Sequence, residues 1–303
     1  MKSKYLISVA DLSTDDILGL IDDAVKMKSK ETAPVFEDKV LALLFEKPSL
    51  RTKVSFDLAM HQLGGHTIYL GEKEVGLGDR EPVYDVAKVL SRYVDVIAAR
   101  TYAHETVKEF ARYSDIPVIN ALSDLEHPCQ ALSDLLTIHE KKGKLNGITL
   151  AYIGDGNNVA NSLLLAASLV GMNIRIASPK GYAVNAEIEY EARVFAGVNG
   201  SQVIVTNDPA EAVEGAHVVY TDVWTSMGQE SEARERIAVF APYQVNRRLL
   251  SFASHDAIIM HDLPAHHGQE VAAGILYSDS SVVFDQAENR MHMQKAILAK
   301  LLE

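Results

Sequence analysis

The chain has 303 residues, 48% of them hydrophobic and 23% charged, and its formal net charge is -12 at pH 7. This composition is that of an ordinary globular protein long enough for two domains, and the excess of acid argues against nucleic acid or an acidic membrane surface as a partner. The single cysteine, Cys129, excludes an internal disulfide and a cysteine-based metal cluster. We expect a cytoplasmic protein, since no signal peptide and no run of eighteen apolar residues is evident.

The chain begins with a pattern of helix, strand and helix. Ser13 opens a helix whose apolar positions recur at helical spacing: Ile17, Leu20, Ile21, Ala24 and Met27. A buried strand is predicted at 40–45, and it runs towards Ser49, a good helix N-cap. The apolar residues expected on the inner face of the helix that follows are Val54, Leu58 and Ala59.

The junction of this strand and helix has the chemistry of an anion site. A strand that stops at the mouth of a helix leaves backbone N–H groups and the positive end of the helix dipole pointing at one spot. Ser49 and Thr52 add hydroxyl donors there, and Arg51 and Lys53 add positive charge. Basic residues have the wrong sign for a helix N-terminus, which favours a phosphate site over the alternative of an ordinary capped helix.

Strands and helices then alternate through the rest of the first half. Further strands are predicted at 67–70, 96–99 and 118–120, which is the pattern of a parallel sheet covered by helices. The second of these strands delivers Arg100 at its end, and His127 and Gln130 lie at the start of a later helix. A glycine-rich segment at 71–81 predicts a mobile loop, and a basic break at 141–147 predicts a domain boundary.

A second alternating series begins at Ile148. Its predicted strands lie at 148–153, 174–177, 203–205, 218–220 and 257–260, and the chain closes on a helix from about Gln286. Unexpected polar groups follow the strands of both halves, at 49–53, 100, 127–130, 155–158, 222–228 and 261–264. Because open α/β sheets bind ligands at the carboxyl ends of their strands, we predict a cleft between two doubly wound α/β domains, with one anion-binding and one cation-binding wall.

Other ligand classes are disfavoured by spacing. The segment Gly154-Asp155-Gly156 begins like a dinucleotide fingerprint, but the third glycine of that motif is absent, so NAD is not expected. The histidines at 261, 266 and 267 beside one aspartate match no standard ligand spacing, so no metal is expected. Taken singly, Arg100 also fits a surface salt bridge, and His127 also fits a loop histidine whose hydrogen bonds are satisfied.

A series of motifs resembles the transcarbamylase family over nearly the whole chain, from about Leu6 to the final helix. The motifs lie at 45–56, Arg100, His127-Pro128-Cys129-Gln130, 154–158, 222–228, 261–264 and Glu288-Asn289-Arg290. The segment Ser226-Met227-Gly228 looks like the signature of the family's ornithine type, as opposed to its aspartate type.

This resemblance implies a fold, a reaction and an assembly. It implies a carbamoyl-phosphate domain at 1–140, an amino-acid domain at 141–285 and a C-terminal helix at 286–303 that returns to the first domain. The implied reaction transfers the carbamoyl group of carbamoyl phosphate to the δ-amine of L-ornithine, giving L-citrulline and phosphate without a metal or organic cofactor. The implied assembly is a homotrimer or a multiple of trimers.

The resemblance also implies which residues bind the substrates. The expected carbamoyl-phosphate ligands are Ser49, Leu50, Arg51, Thr52, Arg100, His127, Gln130 and Arg290. The expected ornithine ligands are Asn158, Asp222, Ser226, Met227, Asp262 and Leu263. Arg100 and His127 would direct donors at the carbamoyl oxygen, and Asp262 would be the third catalytic residue, beside the δ-amine.

Three positions depart from the usual family pattern. Lys53 replaces a second arginine, which keeps the charge but loses bidentate geometry. Gly76 stands where a neighbouring subunit commonly offers glutamine, which puts that contact in doubt. Asp262 stands where ornithine enzymes commonly have cysteine. Its carboxylate either acts on the amine, as base or by holding it protonated, or turns away and leaves only its backbone to touch the substrate.

Two competing functions remain open. Asp262 is compatible with a carbamoyltransferase that acts on another amine, such as putrescine or an acylated ornithine. Asp222 and the 226–228 segment instead favour a free α-amino acid as the substrate. A non-catalytic carbamoyl-phosphate-binding relative is the alternative from another class of protein, and intact Arg51, Arg100 and His127 argue against it.

Overall fold

A computed structural model describes residues 4–30, 34–77, 80–226 and 228–303. Contacts along the chain divide it into two compact units, one containing Met1–Leu136 with Glu288–Glu303 and the other Thr137–Ala287. Among the residues described, no helix combines the length and hydropathy that a membrane crossing requires.

In the described part of the first unit, four parallel strands form a sheet in the order β2-β1-β3-β4. The strands are β1 (Val40–Phe45), β2 (His66–Gly71), β3 (Val96–Arg100) and β4 (Val118–Leu122). The helices are α1 (Thr14–Lys28), α2 (Leu50–Gln62), α3 (Glu72–Val75), α4 (Val83–Leu90), α5 (His104–Tyr113) and α6 (Pro128–Lys142), the last of which continues into the second unit.

The strongest local signals of the sequence are confirmed in this unit. β1 lies between two neighbours and is buried from Leu41 to Phe45, which explains its continuous apolar run. α1 begins with a capping box between Ser13 and Asp16, and it buries the five residues predicted to face inward.

The inner face of α2 differs from its prediction. Ala59 is buried as expected, but Val54 and Leu58 are 44% and 41% exposed, and Phe56 is buried instead. The helix carries apolar residues on two faces, so spacing alone does not show which face meets the sheet.

The predicted loop at 71–81 begins with one turn of helix, α3, which ends at Gly76 in the left-handed conformation (φ 56°). Residues 78 and 79 lie outside the described part of the chain, and the mobility of the loop stays a prediction.

In the second unit, as far as it is described, five parallel strands form a sheet in the order β7-β6-β5-β8-β9. The strands are β5 (Thr149–Ile153), β6 (Asn173–Ala177), β7 (Val203–Thr206), β8 (Val218–Thr221) and β9 (Ile258–Met260). The helices are α7 (Asn158–Leu169), α8 (Ala186–Asn199), α9 (Pro209–Val213), α10 (Ala233–Phe240) and α11 (Arg247–Leu250). The chain closes on α12 (Val283–Leu302), whose residues from Glu288 onward belong to the first unit, and 3-10 turns lie at Val9–Asp11, Glu230–Glu232, Ala241–Tyr243 and Ile275–Tyr277.

Each sheet has one point where the strand order reverses. In the first unit this point lies between β1 and β3, where Phe45 is paired with Arg100. In the second unit it lies between β5 and β8, where Ile153 is paired with Thr221. Ligands of open α/β sheets bind beyond the carboxyl ends of the strands at such points. The residues that follow these strand ends are therefore the candidates for ligand binding.

Candidate functional site

In the first unit, hydrogen-bond donors gather at the start of α2. Ser49 is the N-cap predicted from the sequence, and its Oγ accepts the N–H of Thr52 at 3.3 Å. The Ser49 hydroxyl also donates to Thr52 Oγ1 at 3.0 Å, and Arg290 Nη2, from α12, donates to the same oxygen at 2.7 Å. The first turn of α2 contains no acidic residue. Hydroxyl donors, an arginine and a helix N-terminus thus converge on one spot.

Positive charge is concentrated around this spot. Arg100 is buried at the end of β3, and its carbonyl accepts the N–H of Glu46 at 2.9 Å. Burial lowers the pKa of Lys47, and the neighbouring charge of Arg100 lowers it further. Among the described residues, the buried Nε atom of Arg51 has no hydrogen-bond partner. A bound anion would supply that partner and relieve the repulsion among the cations.

The start of α6 adds neutral polar groups. His127 and Gln130 are both buried, and Gln130 Nε2 donates to Asp134 Oδ1 at 2.9 Å. No partner for the buried Gln130 Oε1 occurs among the residues the structure describes, which leaves an acceptor for a ligand N–H. Burial raises the pKa of the Cys129 thiol to about 12, against the opposing charge of Arg290, so this cysteine stays protonated and is no nucleophile.

In the second unit, the start of α7 lies at the reversal point of the sheet. Asn157 is the N-cap of α7 and accepts the N–H groups of Val159 and Ala160 at 3.0 and 3.1 Å. Its Nδ2 donates to Asp222 Oδ2 at 2.6 Å. The sequence prediction chose the next residue, Asn158, and missed this one, although an Asn directly before a helix is an N-cap signal.

Beyond β8 and β9, two carboxyl groups and an imidazole meet. Side-chain atoms of Asp222, His261 and Asp262 all lie within 4.8 Å of one another, and Asp262 Oδ1 is 3.4 Å from His261 Nδ1. The Asp262 side chain therefore lies in the cluster rather than turning away from it. Burial raises the pKa of Asp222 well above its ordinary value, and the charge of Asp262 raises it further.

His261 is held by a buried acid that the sequence analysis did not select. Glu270 Oε1 lies 3.3 Å from His261 Nε2 and also accepts the backbone N–H of His266. Burial disfavours the charged ring, but Asp262 and Glu270 outweigh it and raise the pKa of His261 to about 9. His261 Nδ1 also lies 2.9 Å from the Leu263 nitrogen and accepts its N–H when the ring is neutral.

This cluster has the residue types of a metal site but not an open set of ligand atoms. His261 uses Nδ1 for the Leu263 N–H and Nε2 for Glu270, so a metal would have to break one of these bonds. We therefore assign no metal to it.

The segment after Asp222 is anchored by an arginine that sequence reasoning also missed. Arg236, on α10, donates from Nε to the carbonyl of Trp224 at 2.5 Å and forms a buried ion pair with Asp155. Burial raises the pKa of Asp155 to about 6, and Arg236 opposes that rise. The ring centroids of Tyr182 and Phe240 lie 4.8 and 5.3 Å from Arg236 Cζ.

The remaining predicted residues have less defined roles. Ser226 donates its N–H to Gln229 Oε1 at 3.1 Å. Leu263 has φ 59°, a conformation that a leucine rarely adopts and that is often found at functional sites. Met227 lies outside the described residues.

These features define a class of protein, a two-unit parallel α/β chain. One unit has a group of hydrogen-bond donors, and the other has an acid–amide cluster, each at the reversal point of its own sheet. Two family models match it. Residues 4–140 match the carbamoyl-P binding domain of aspartate/ornithine carbamoyltransferase, and residues 146–301 match its Asp/Orn binding domain.

Whole-chain relatives agree with this match. The chain is 54% identical to an ornithine carbamoyltransferase of Bacillus subtilis over 299 residues, covering 99% of this chain and 94% of that protein. A solved ornithine carbamoyltransferase from Pyrococcus furiosus superposes with a TM-score of 0.94 at 47% identity, covering 97% of this chain and 95% of that one. A solved ornithine carbamoyltransferase from Gloeobacter violaceus superposes with a TM-score of 0.92 at 46% identity, covering 99% of each chain. The chain belongs to the aspartate/ornithine carbamoyltransferase family, and the predicted fold class is confirmed.

Proposed function

We propose that the protein transfers the carbamoyl group of carbamoyl phosphate to the δ-amine of L-ornithine, giving L-citrulline and phosphate. The observation that carries the proposal is the contact of Arg290 with Thr52, because Thr52 lies in the segment that matches the family's carbamoyl-P binding domain. Citrulline and phosphate formation by the purified protein tests it. Carbamoyl-phosphate binding without transfer to any amine would favour the binding-only reading instead.

The first unit would bind the carbamoyl phosphate. Ser49, Thr52 and the backbone N–H groups of Leu50 and Arg51 would hold the phosphoryl oxygens, with the charges of Arg51 and Arg290 balancing the departing phosphate. Donors that meet an oxygen where negative charge develops are worth on the order of 10²–10³ in rate.

The carbamoyl group would lie against the ends of β3 and α6. Arg100 and His127 would direct donors at the carbamoyl oxygen, where charge grows as the amine attacks. Gln130 Oε1, which is buried and without a partner among the described residues, would accept a carbamoyl N–H.

The second unit would bind the amino acid. Asp222 would pair with the α-ammonium group, and Asn158, Ser226, Met227 and the Leu263 backbone would complete the ligands. Asp262 would face the side-chain amine, because its carboxyl group lies in the same buried cluster as Asp222. Asp262 is also the one observation that favours a second candidate, transfer to putrescine or an acylated ornithine.

Asp262→Cys should shift the pH–rate profile of kcat to lower pH by about one unit or more. The reacting amine must be neutral, and an adjacent carboxylate raises the pKa of an ammonium group by roughly one to three units. Removing that carboxylate lowers the pKa of the bound amine, so the neutral form appears at lower pH. An unmoved profile would show that only the backbone of this residue meets the substrate.

Arg236→Gln should raise the KM for ornithine about tenfold or more and leave the KM for carbamoyl phosphate unchanged. Arg236 holds the Trp224 carbonyl, midway between Asp222 and Ser226, so its loss releases the segment that carries both proposed ligands. Arg193→Gln is the matched control, since Arg193 also pairs with a carboxylate (Glu189) and donates to a backbone carbonyl (Val203). Equal effects of both variants on KM would contradict the assignment.

We further propose that the chain assembles as a homotrimer or a multiple of trimers. An exposed apolar stripe on α2 supports self-association: Leu50, Val54 and Leu58, at spacings of four residues, with Leu50 76% exposed. The proposed setting is arginine metabolism in the cytoplasm, which the single buried cysteine fits.

A further inference from the structure

The side-chain amide of Asn157 joins the start of α7 to Asp222, and its two ends have different partners. Its Oδ1 accepts the N–H groups of Val159 and Ala160 at 3.0 and 3.1 Å and the hydroxyl of Tyr152 at 3.2 Å. Its Nδ2 donates to Asp222 Oδ2 at 2.6 Å. Turning the amide over would place its N–H groups against three donors, so these contacts fix which end faces Asp222.

The hydroxyl that completes this arrangement belongs to a fully buried side chain. Tyr152 is paired with Tyr220 of the neighbouring strand β8, and the two rings stack with their centroids 5.7 Å apart. Burial raises the pKa of the Tyr152 hydroxyl well above its ordinary value, so the hydroxyl keeps the proton that it donates. The sheet and the helix start together hold the Asn157 amide in one orientation.

The bond from Asn157 also acts on the charge of Asp222. Burial raises the pKa of Asp222, and the neighbouring Asp262 raises it further, whereas the charge of His261 and the bond from Asn157 lower it. A hydrogen bond to the charged form of an acid favours that form. Asn157 therefore favours the ionised carboxylate, to which an ammonium group would bind, without adding a charge of its own.

Asn157 lies beside two of the proposed ornithine ligands. Asn158 follows it as the first residue of α7, whereas Asp222 follows β8, so these two ligands belong to different elements. The N-cap bonds tie Asn157 to α7, and the bond from Nδ2 ties it to Asp222. One side chain thus connects the elements that carry both ligands.

We propose that Asn157 is a positioning residue for the α-ammonium group of ornithine, and that it holds the Asp222 carboxylate charged and in place to meet that group. The inference rests on the proposed function, in which Asp222 pairs with the α-ammonium group. A residue that acts through Asp222 affects ligands that have an α-ammonium group and spares ligands that lack one. Its effect also disappears once Asp222 has lost its charge.

Two variants remove the amide donor and keep the helix cap. Asn157→Ser keeps a hydroxyl oxygen for the cap, and Asn157→Asp keeps the shape of the side chain but turns a carboxylate oxygen towards Asp222. We expect the KM for ornithine to rise about tenfold in Asn157→Ser and further in Asn157→Asp, because a hydrogen bond to a charged group is lost. The KM for carbamoyl phosphate should not change, and kcat should change by no more than about threefold, because the reacting amine is at the other end of ornithine. Asn157→Ser introduces no charge, so it tests the proposal even if Asn157→Asp fails to fold.

Asn185→Asp is the matched control for these variants. Asn185 is the N-cap of α8 in the same unit, and it accepts the N–H groups of the residues two and three positions further on, as Asn157 does. We expect the KM for ornithine to be unchanged in this variant. A rise equal to that in Asn157→Asp would overturn the proposal, because the effect would then come from a charge at any helix cap of the unit.

Two ligands that each lack one amine separate positioning from a general disturbance of the amino-acid site. L-norvaline keeps the α-ammonium group and lacks the δ-amine, whereas 5-aminopentanoate keeps the δ-amine and lacks the α-ammonium group. In the citrulline assay, Asn157→Ser should raise the inhibition constant of norvaline about tenfold and that of 5-aminopentanoate by no more than about threefold. Equal changes for the two ligands, or no change for either, would overturn the proposal.

A double variant tests whether Asn157 acts through Asp222. Adding Asn157→Ser to Asp222→Asn should raise the KM for ornithine by no more than about twofold beyond Asp222→Asn alone. A further tenfold rise would overturn the proposal, because Asn157 would then act on the substrate without Asp222. If the wild-type protein forms citrulline and Asn157→Ser leaves the KM for ornithine unchanged, this inference fails while the proposed function stands. If the wild-type protein forms no citrulline, the proposed function fails and this inference fails with it.

Discussion

Arg51→Ala should lower kcat/KM for carbamoyl phosphate on the order of 10²–10³-fold. Arg51 lies in the first turn of α2, and among the described residues its buried Nε atom has no protein partner, so its hydrogen-bonding capacity is available to the phosphoryl group. The measurement is initial rate against carbamoyl-phosphate concentration at saturating ornithine.

Lys53→Ala is the matched control for this prediction. Lys53 lies two residues further along the same helix, but its Nζ is 3.7 Å from the centre of the Tyr69 ring. We expect its loss to change kcat/KM by no more than about threefold, as for a surface charge. If Lys53→Ala were as damaging as Arg51→Ala, the general charge of the helix start would bind the phosphate rather than Arg51 in particular.

Asp222→Asn should lower kcat/KM for ornithine about a hundredfold or more and leave carbamoyl-phosphate affinity unchanged. The substitution keeps the shape of the side chain and an oxygen for Asn157 Nδ2, so it removes chiefly the charge that would pair with the α-ammonium group. Steady-state kinetics with each substrate varied in turn separates the two effects.

Asp208→Asn is the control, because Asp208 is an N-cap of the same unit and asparagine caps a helix equally well. An unchanged KM for ornithine in Asp222→Asn would show that another group binds the ammonium. A parallel loss of carbamoyl-phosphate affinity would show that the variant perturbs more than the amino-acid half.

Local signals in the sequence account for much of the fold. The apolar run of β1, the cap at Ser49 and the spacing of α1 depend on neighbours within a few residues, and the structure confirms all three. The prediction of the inner face of α2 was wrong because the helix has two apolar stripes. Packing against the sheet, which the spacing does not show, buries Phe56 and leaves Val54 exposed.

The residues missed in the site have partners that local sequence signals do not reveal. Arg236 and Asn157 meet Asp155 and Asp222, which are 81 and 65 residues away, and Glu270 meets His261 across a nine-residue separation. From its neighbours in sequence, each of these residues looks like a surface charge or a turn residue. Periodicity and capping signals involve only nearby residues and do not identify such partners. The second unit begins at Thr137, inside α6, whereas the composition break at 141–147 begins in the last two residues of that helix.

The most direct test of the central claim is the rate of carbamoyl transfer across a small panel of amines at pH 8. Purified protein, carbamoyl phosphate and either L-ornithine, an Nα-acylated ornithine or putrescine are mixed, and both phosphate and carbamoylated product are quantified. We predict equal amounts of citrulline and phosphate from ornithine, with kcat/KM about a hundredfold above that for either other amine, because only ornithine has both the free α-ammonium group for Asp222 and the carboxylate. A higher kcat/KM for putrescine or the acylated ornithine, or no transfer to any of the three, would contradict the account.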